Sequence, residues 1–84
     1  MSYKLIYTNT AYKDIKKLDI VAKKRIGKKI EEYSKDPLST SKKLTNLSIG
    51  TFRWRIGNYR VVFDIDNENI IILRVGHRKE IYKY

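Results

Sequence analysis

The chain is 84 residues long and carries 19 lysines and arginines against 9 acidic residues, a formal net charge of +10. That length holds a single domain, 1–84, and the absence of cysteine excludes disulfides, thiolate catalysis and thiolate zinc sites. No apolar run approaches the roughly 20 residues needed to span a bilayer, and the N-terminus lacks a signal-peptide pattern, so a cytoplasmic protein is expected. Its charge predicts a polyanionic partner: nucleic acid, ribosome, membrane surface or an acidic protein.

The elements follow in chain order. Tyr3, Leu5 and Tyr7 alternate with Lys4, Ile6 and Thr8, which predicts a strand over residues 3–8. Asn9 or Thr10 is placed to cap a short helix with Ala11, Ile15 and Leu18 on one face. Asp19 is placed to cap a second helix, in which Ala22, Ile26, Ile30 and Tyr33 form an apolar stripe. The opposite side of that helix carries Lys23, Lys24, Arg25, Lys28 and Lys29. Asp36-Pro37 ends it, and residues 38–50 read as a loop anchored by Leu44 and Leu47. Residues 51–56, 59–65 and 70–75 are rich in β-branched and aromatic residues and predict three strands. Gly57-Asn58 fits a two-residue hairpin turn between the first two. The expected fold is α+β: an N-terminal strand, a two-helix hairpin, then a three-stranded antiparallel meander, with the helices packed on one face of a single sheet.

Strand geometry then places charge. Phe52, Trp54 and Ile56 alternate with Arg53 and Arg55, so the apolar set faces the helices and both arginines take the open face. With a two-residue turn, Ile56 pairs with Tyr59, Arg55 lies opposite Arg60, and Arg53 opposite Val62. Like charges directly opposite each other destabilise a sheet. A bound phosphate reverses the sign, and the planar guanidinium fork matches phosphate geometry. If Asp66 pairs with Asn69, Arg60 faces Val75 and His77 falls on the arginine side beyond the strand end. The same register puts Arg74 on the helix side, unless it lies at the rim or a bulge shifts the register. It also puts Ile71, Leu73 and Val75 on the arginine face, which the C-terminal tail is placed to cover.

The only histidine, His77, sits in the run Gly76-His77-Arg78-Lys79-Glu80-Ile81-Tyr82. Histidine exchanges a proton near neutral pH, which makes His77 a candidate acid or base. Tyr82 is placed to stack on a base, donate a hydrogen bond or anchor the tail. No carboxylate pair has a convincing spacing and no glycine-rich phosphate loop is present. Asp64, Asp66 and Glu68 read as a solvated acidic turn, not a calcium loop. No cofactor or metal is expected.

Tyr59-Arg60-Val61-Val62-Phe63, Ile72-Leu73-Arg74-Val75-Gly76-His77-Arg78 and the terminal Ile81-Tyr82 together resemble the RelE/ParE toxin superfamily. Lys42-Lys43-Leu44-Thr45-Asn46-Leu47, ahead of the arginine strand, is similar to that family's loop. The resemblance implies the RelE-like fold and a toxin of a type II toxin–antitoxin pair, monomeric when free and neutralised by a cognate antitoxin with an acidic or amphipathic segment. In the RelE branch it implies a metal-independent endoribonuclease, an mRNA interferase that enters the ribosomal A site and stops translation. There the 2′-hydroxyl attacks the adjacent phosphate, leaving a cyclic phosphate and a 5′-hydroxyl.

Carried over, the family's working positions match Arg53, Arg55, Arg60, Arg78 and Tyr82, and His77 matches a position where some branches hold a histidine. Arg60 and Arg78 would clamp the scissile phosphate, and His77 or Tyr82 would move the proton. Arg53, Arg55, Lys23, Lys24, Lys28, Lys42 and Lys43 would bind RNA. The best-studied branch has lysines where this chain has Arg53 and Arg55. A lysine can be tuned to act as a base, whereas arginine stays protonated. Three other readings stand beside this one: a ParE-like DNA gyrase inhibitor without nuclease activity, a non-catalytic RNA- or ribosome-binding protein, and a degenerate toxin kept for its antitoxin contact.

Overall fold

A computed structural model describes residues 3–45 and 49–81. The elements run β1 (Lys4–Tyr7), α1 (Asn9–Lys16), α2 (Ile20–Tyr33), α3 (Pro37–Thr40), β2 (Lys42–Lys43), β3 (Phe52–Ile56), β4 (Tyr59–Asp66) and β5 (Asn69–His77). They form an α+β fold around one five-stranded sheet of order β1-β5-β4-β3-β2. β1 lies parallel to β5, and the other pairings are antiparallel.

Thr8 caps α1, one residue earlier than expected, because its hydroxyl is already held at the strand end. Its Oγ1 accepts from the Ala11 N–H at 3.1 Å and donates towards the Ile72 and Leu73 carbonyls at 3.1 and 3.2 Å. Asp19 caps α2 as expected, its Oδ1 accepting from the Ala22 N–H at 2.7 Å. α2 stops at Tyr33, and Pro37 opens the short α3, a first-turn position that needs no N–H. Residues 38–50 are therefore not plain loop. Thr40, in α3, accepts from Trp54 Nε1 at 3.1 Å, and β2 pairs Lys42 with Arg53 and Lys43 with Phe52. Leu47, the second expected anchor of that loop, lies outside the described residues.

Ala11, Ile26 and Ile30 of the helices meet Trp54, Ile56, Val61, Phe63, Ile72 and Val75 of the sheet in one core. Trp54 and Phe63, both fully buried, hold their ring centroids 4.0 Å apart. The open face is partly covered as well. A Cβ on Gly50 would collide with Val62 Cγ1 and lie 3.0 Å from Leu73 Cδ1, so that turn rests directly on the sheet. The Thr51 N–H fixes it by donating to Asp64 Oδ1 at 2.7 Å. At the other end Ile81 is buried close to Gly76. The tail expected to cover this face thus shares the task with the Gly50 turn.

One feature resets the register. Asp66 pairs with Asn69 as expected, but a bulge sets Leu73 outside the ladder, so that Phe63 pairs with Ile72 and Val62 with Arg74. Arg60 consequently faces Gly76 rather than Val75, and Tyr59 faces His77. The bulge lies where β1 ends and α1 takes over the β5 edge. The Asp14 carboxylate accepts from Arg74 Nε at 2.8 Å, from Arg74 Nη2 at 3.2 Å and from the Val75 N–H at 3.0 Å. Thr8 occupies the bulge carbonyl. An extra residue bends and twists its strand, and here every side chain after it changes face.

Candidate functional site

The site is built from the end of the β3–β4 hairpin. Gly57 has φ +59°, a conformation that side-chain-bearing residues rarely adopt, and it makes the tight turn possible. The expected pairs all form: Ile56 with Tyr59, Arg55 with Arg60, Arg53 with Val62. Trp54 and Ile56 point into the core, so Arg53 and Arg55 occupy the opposite face, with Arg55 exposed and Arg53 half-buried. Arg60 shares that face but is 8% exposed. Its Nη1 donates to the carbonyls of Gly57 at 3.0 Å and Tyr59 at 2.9 Å, so the guanidinium lies against the turn.

Two further cations reach this end. The Arg78 N–H donates to the Asn58 carbonyl at 2.8 Å, which continues the sheet into the turn and holds Arg78 beside it. From α2, the Arg25 guanidinium lies over Gly57: a Cβ there would sit 2.8 Å from Arg25 Nη2. Lys42, paired with Arg53, adds a charge along the same face. Among the described residues the ion pairs are Lys29–Glu32 and Arg74–Asp14, neither of which involves Arg25, Arg53, Arg55 or Arg78. Arg25, Arg53, Arg55 and Arg78, brought together with none of these ion pairs among them, form a site for an anion of several charges.

His77 does not belong to that face. The bulge pairs it with Tyr59, and the two rings meet edge to face at 5.9 Å, on the helix side of the sheet. His77 lines a cleft of about 290 Å³ at the β5 edge with Lys17, Tyr59, Arg74 and Glu80. Its backbone carbonyl accepts from the Glu80 and Ile81 N–H groups, and its Nδ1 accepts from the Lys79 N–H at 3.2 Å. The expectation that His77 joins the arginines is thereby corrected.

Lys23, Lys24 and Lys28 sit on α2, which packs on the far side of the sheet, and Lys23 borders an apolar groove containing Tyr7, Tyr12 and Leu18. Lys43 pairs with Phe52 and so takes the face opposite Lys42. Tyr82 lies outside the described residues. Arg25 was not foreseen as a site residue: it looked like one more charge on a solvated helix side, and nothing local signals a contact with a turn 32 positions away.

Comparison with known proteins places this geometry in a family. Residues 5–82 match the family model for the ParE toxin of the type II toxin–antitoxin system parDE. The chain is 38% identical to Toxin RelG of Mycobacterium tuberculosis, over 99% of each. It is 35% identical to Toxin RelE3 of Methanocaldococcus jannaschii, over 96% of this chain and 97% of the relative. The RelBE2 toxin–antitoxin complex of M. tuberculosis contains a chain that superposes with a TM-score of 0.83 at 33% identity, covering 93% of this chain and all of that one. An α+β sheet of this order, an arginine-lined hairpin end and relatives matched along nearly their whole length agree: the chain belongs to the RelE/ParE superfamily of type II toxins.

Proposed function

We propose that this toxin is a ribosome-dependent endoribonuclease that cleaves mRNA in the cytoplasm. The observation that carries the reading is the hairpin end, where Arg55 is held opposite Arg60 and Arg78 is tied to the turn by its own backbone. A sheet built for stability alone avoids that pairing, and a phosphodiester relieves it. The RelG and RelE3 names of two similar relatives support the same branch.

In the reaction the 2′-oxygen of one nucleotide forms a bond to the adjacent phosphorus, and the bond from phosphorus to the 5′-oxygen breaks. The 2′-hydroxyl loses its proton and the departing 5′-oxygen gains one, so the products are a 2′,3′-cyclic phosphate and a 5′-hydroxyl. Negative charge accumulates on the phosphorane oxygens. Arg55, Arg60 and Arg78 supply preoriented donors for it, the electrostatic contribution that usually dominates such catalysis. The nucleophile belongs to the substrate, and guanidinium groups carry the charge, so the scheme requires no metal. Arginine stays protonated and serves poorly as a base. Proton transfer falls to Tyr82 or to solvent, while His77, on the other face, positions the turn that carries Arg78. Arg53 and Lys42 extend the face along the RNA strand, with Lys23, Lys24, Lys28 and Lys43 as outlying contacts to ribosomal RNA.

The test is a programmed 70S translation reaction with mRNA 5′ ends mapped by primer extension, wild type beside Arg78→Ala. Discrete cuts at the A-site codon that disappear in the variant support the reading; intact mRNA at high protein sinks it. The match to the ParE family model favours a second reading, a gyrase inhibitor without nuclease activity. Inhibition of gyrase supercoiling by a protein that leaves mRNA intact would select it.

A further inference from the structure

Among the described side chains at the hairpin end, Arg25 alone comes from a helix, and its position is odd for a solubility charge. On the same helix Lys24 and Lys28 are presented to solvent. Arg25 instead lies across Gly57, with Nη2, Cζ and Nη1 at 2.8, 3.2 and 3.3 Å from where a Cβ would be. The same glycine's carbonyl accepts from Arg60 Nη1 at 3.0 Å. Two guanidinium groups thus meet one residue, one over its α-carbon and one at its oxygen. No ion pair offsets Arg25 among the described residues. Packing against the turn restrains a side chain otherwise rich in rotamers, so less entropy is lost when it grips an anion.

We propose that Arg25 is an RNA-binding residue of this toxin, contacting the phosphodiester that neighbours the one held by Arg55, Arg60 and Arg78. The inference rests on the RNA reading above and deepens it: the binding track turns around the end of the sheet, from the arginine face towards α2. Because the contact is to phosphate, it is indifferent to base identity and sensitive to salt.

The experiment measures the affinity of labelled toxin for 70S ribosomes programmed with an mRNA bearing 2′-O-methyl groups at the A-site codon, at several salt concentrations. Wild type, Arg25→Ala, Arg25→Lys and, as a remote control, Lys35→Ala are compared, with a thermal melt for each. Arg25→Ala is expected to bind about tenfold more weakly, and its slope of log K against log salt to shrink by about 0.7, one single-strand phosphate contact. Arg25→Lys restores the slope but only part of the affinity, since a point charge lacks the fork. Equal affinity and slope in Arg25→Ala and wild type overturns the assignment. An equal loss in Lys35→Ala does so too, because it reduces the effect to bulk charge. So does a loss of binding accompanied by a lowered melting temperature, since Arg25 would then act through hairpin packing. If wild type fails to bind the programmed ribosomes at all, the RNA reading itself falls, a result distinguishable from the other three.

Discussion

Arg78 and His77 are adjacent in sequence, yet the ladder sends them to different tasks. Arg78 is exposed and fixed at the turn by its N–H, whereas His77 faces Tyr59 on the helix side. Under the proposed mechanism, Arg78→Ala should lower single-turnover cleavage on programmed ribosomes about 10²- to 10³-fold, the usual effect of removing one preoriented donor to a developing charge. His77→Ala should lose less than about tenfold, because it removes the acceptor for the Lys79 N–H and the ring contact with Tyr59 while the backbone bond from Arg78 to Asn58 stays. Equal losses would return His77 to the chemistry. Although part of its ring stays exposed, the Tyr7 phenol is held above its ordinary 10.0, by partial burial first and by the Glu31 carboxylate second. The folded chain therefore keeps a proton that the unfolded chain gives up. The stabilisation is fully present below pH 10 and is lost as pH rises from there through the raised value. In urea titrations at pH 9 and pH 11, Tyr7→Phe should show a smaller fall in midpoint than wild type.

Elements whose logic is local were legible in the sequence, and those set by distant partners were not. Alternation in β3, the Gly57-Asn58 turn and the Asp19 cap each lie within a few residues of their cause, and each formed as expected. The pairing of β1 with β5 and the two residues of β2 depend on chain more distant in sequence, and the bulge, one of two ways open to place Arg74, is set at Leu73 by contacts from α1. The bulge mattered most, since one extra residue reversed the faces of Arg74 and His77. Its anchor is Asp14, whose side chain is 11% exposed while that of Arg74 is 37% exposed. Asp14→Ala strands the Val75 N–H and removes the two side-chain bonds that tie Arg74 to α1. Discounted for the solvent around Arg74, the loss is about 2 kcal/mol, and for a domain this small the melting temperature should fall by about 10 °C. A fall of a degree or two would mean that the α1–β5 contact is held by apolar packing alone.

The whole molecule presents three different surfaces, and its charge acts through their arrangement rather than through its total. Arginines gather at one end of the sheet, lysines spread over α2, and an apolar groove with the exposed Tyr7 and Tyr12 lies between α1 and α2. Among the described residues no helix is long and apolar enough to cross a membrane. If only the overall charge mattered, any lysine lost would weaken ribosome binding as much as any arginine. If the hairpin end is the footprint, Arg55, Arg60 and Arg78 share one phosphate while Arg25, Arg53 and Lys42 take one each, and log K should fall against log salt with a slope of about −3. Removing Arg25 and Arg53 together should halve that slope, whereas removing Lys13 and Lys35 should leave it unchanged. A wild-type slope near zero would leave protein–protein contacts to drive the association, which is what a target such as gyrase would require.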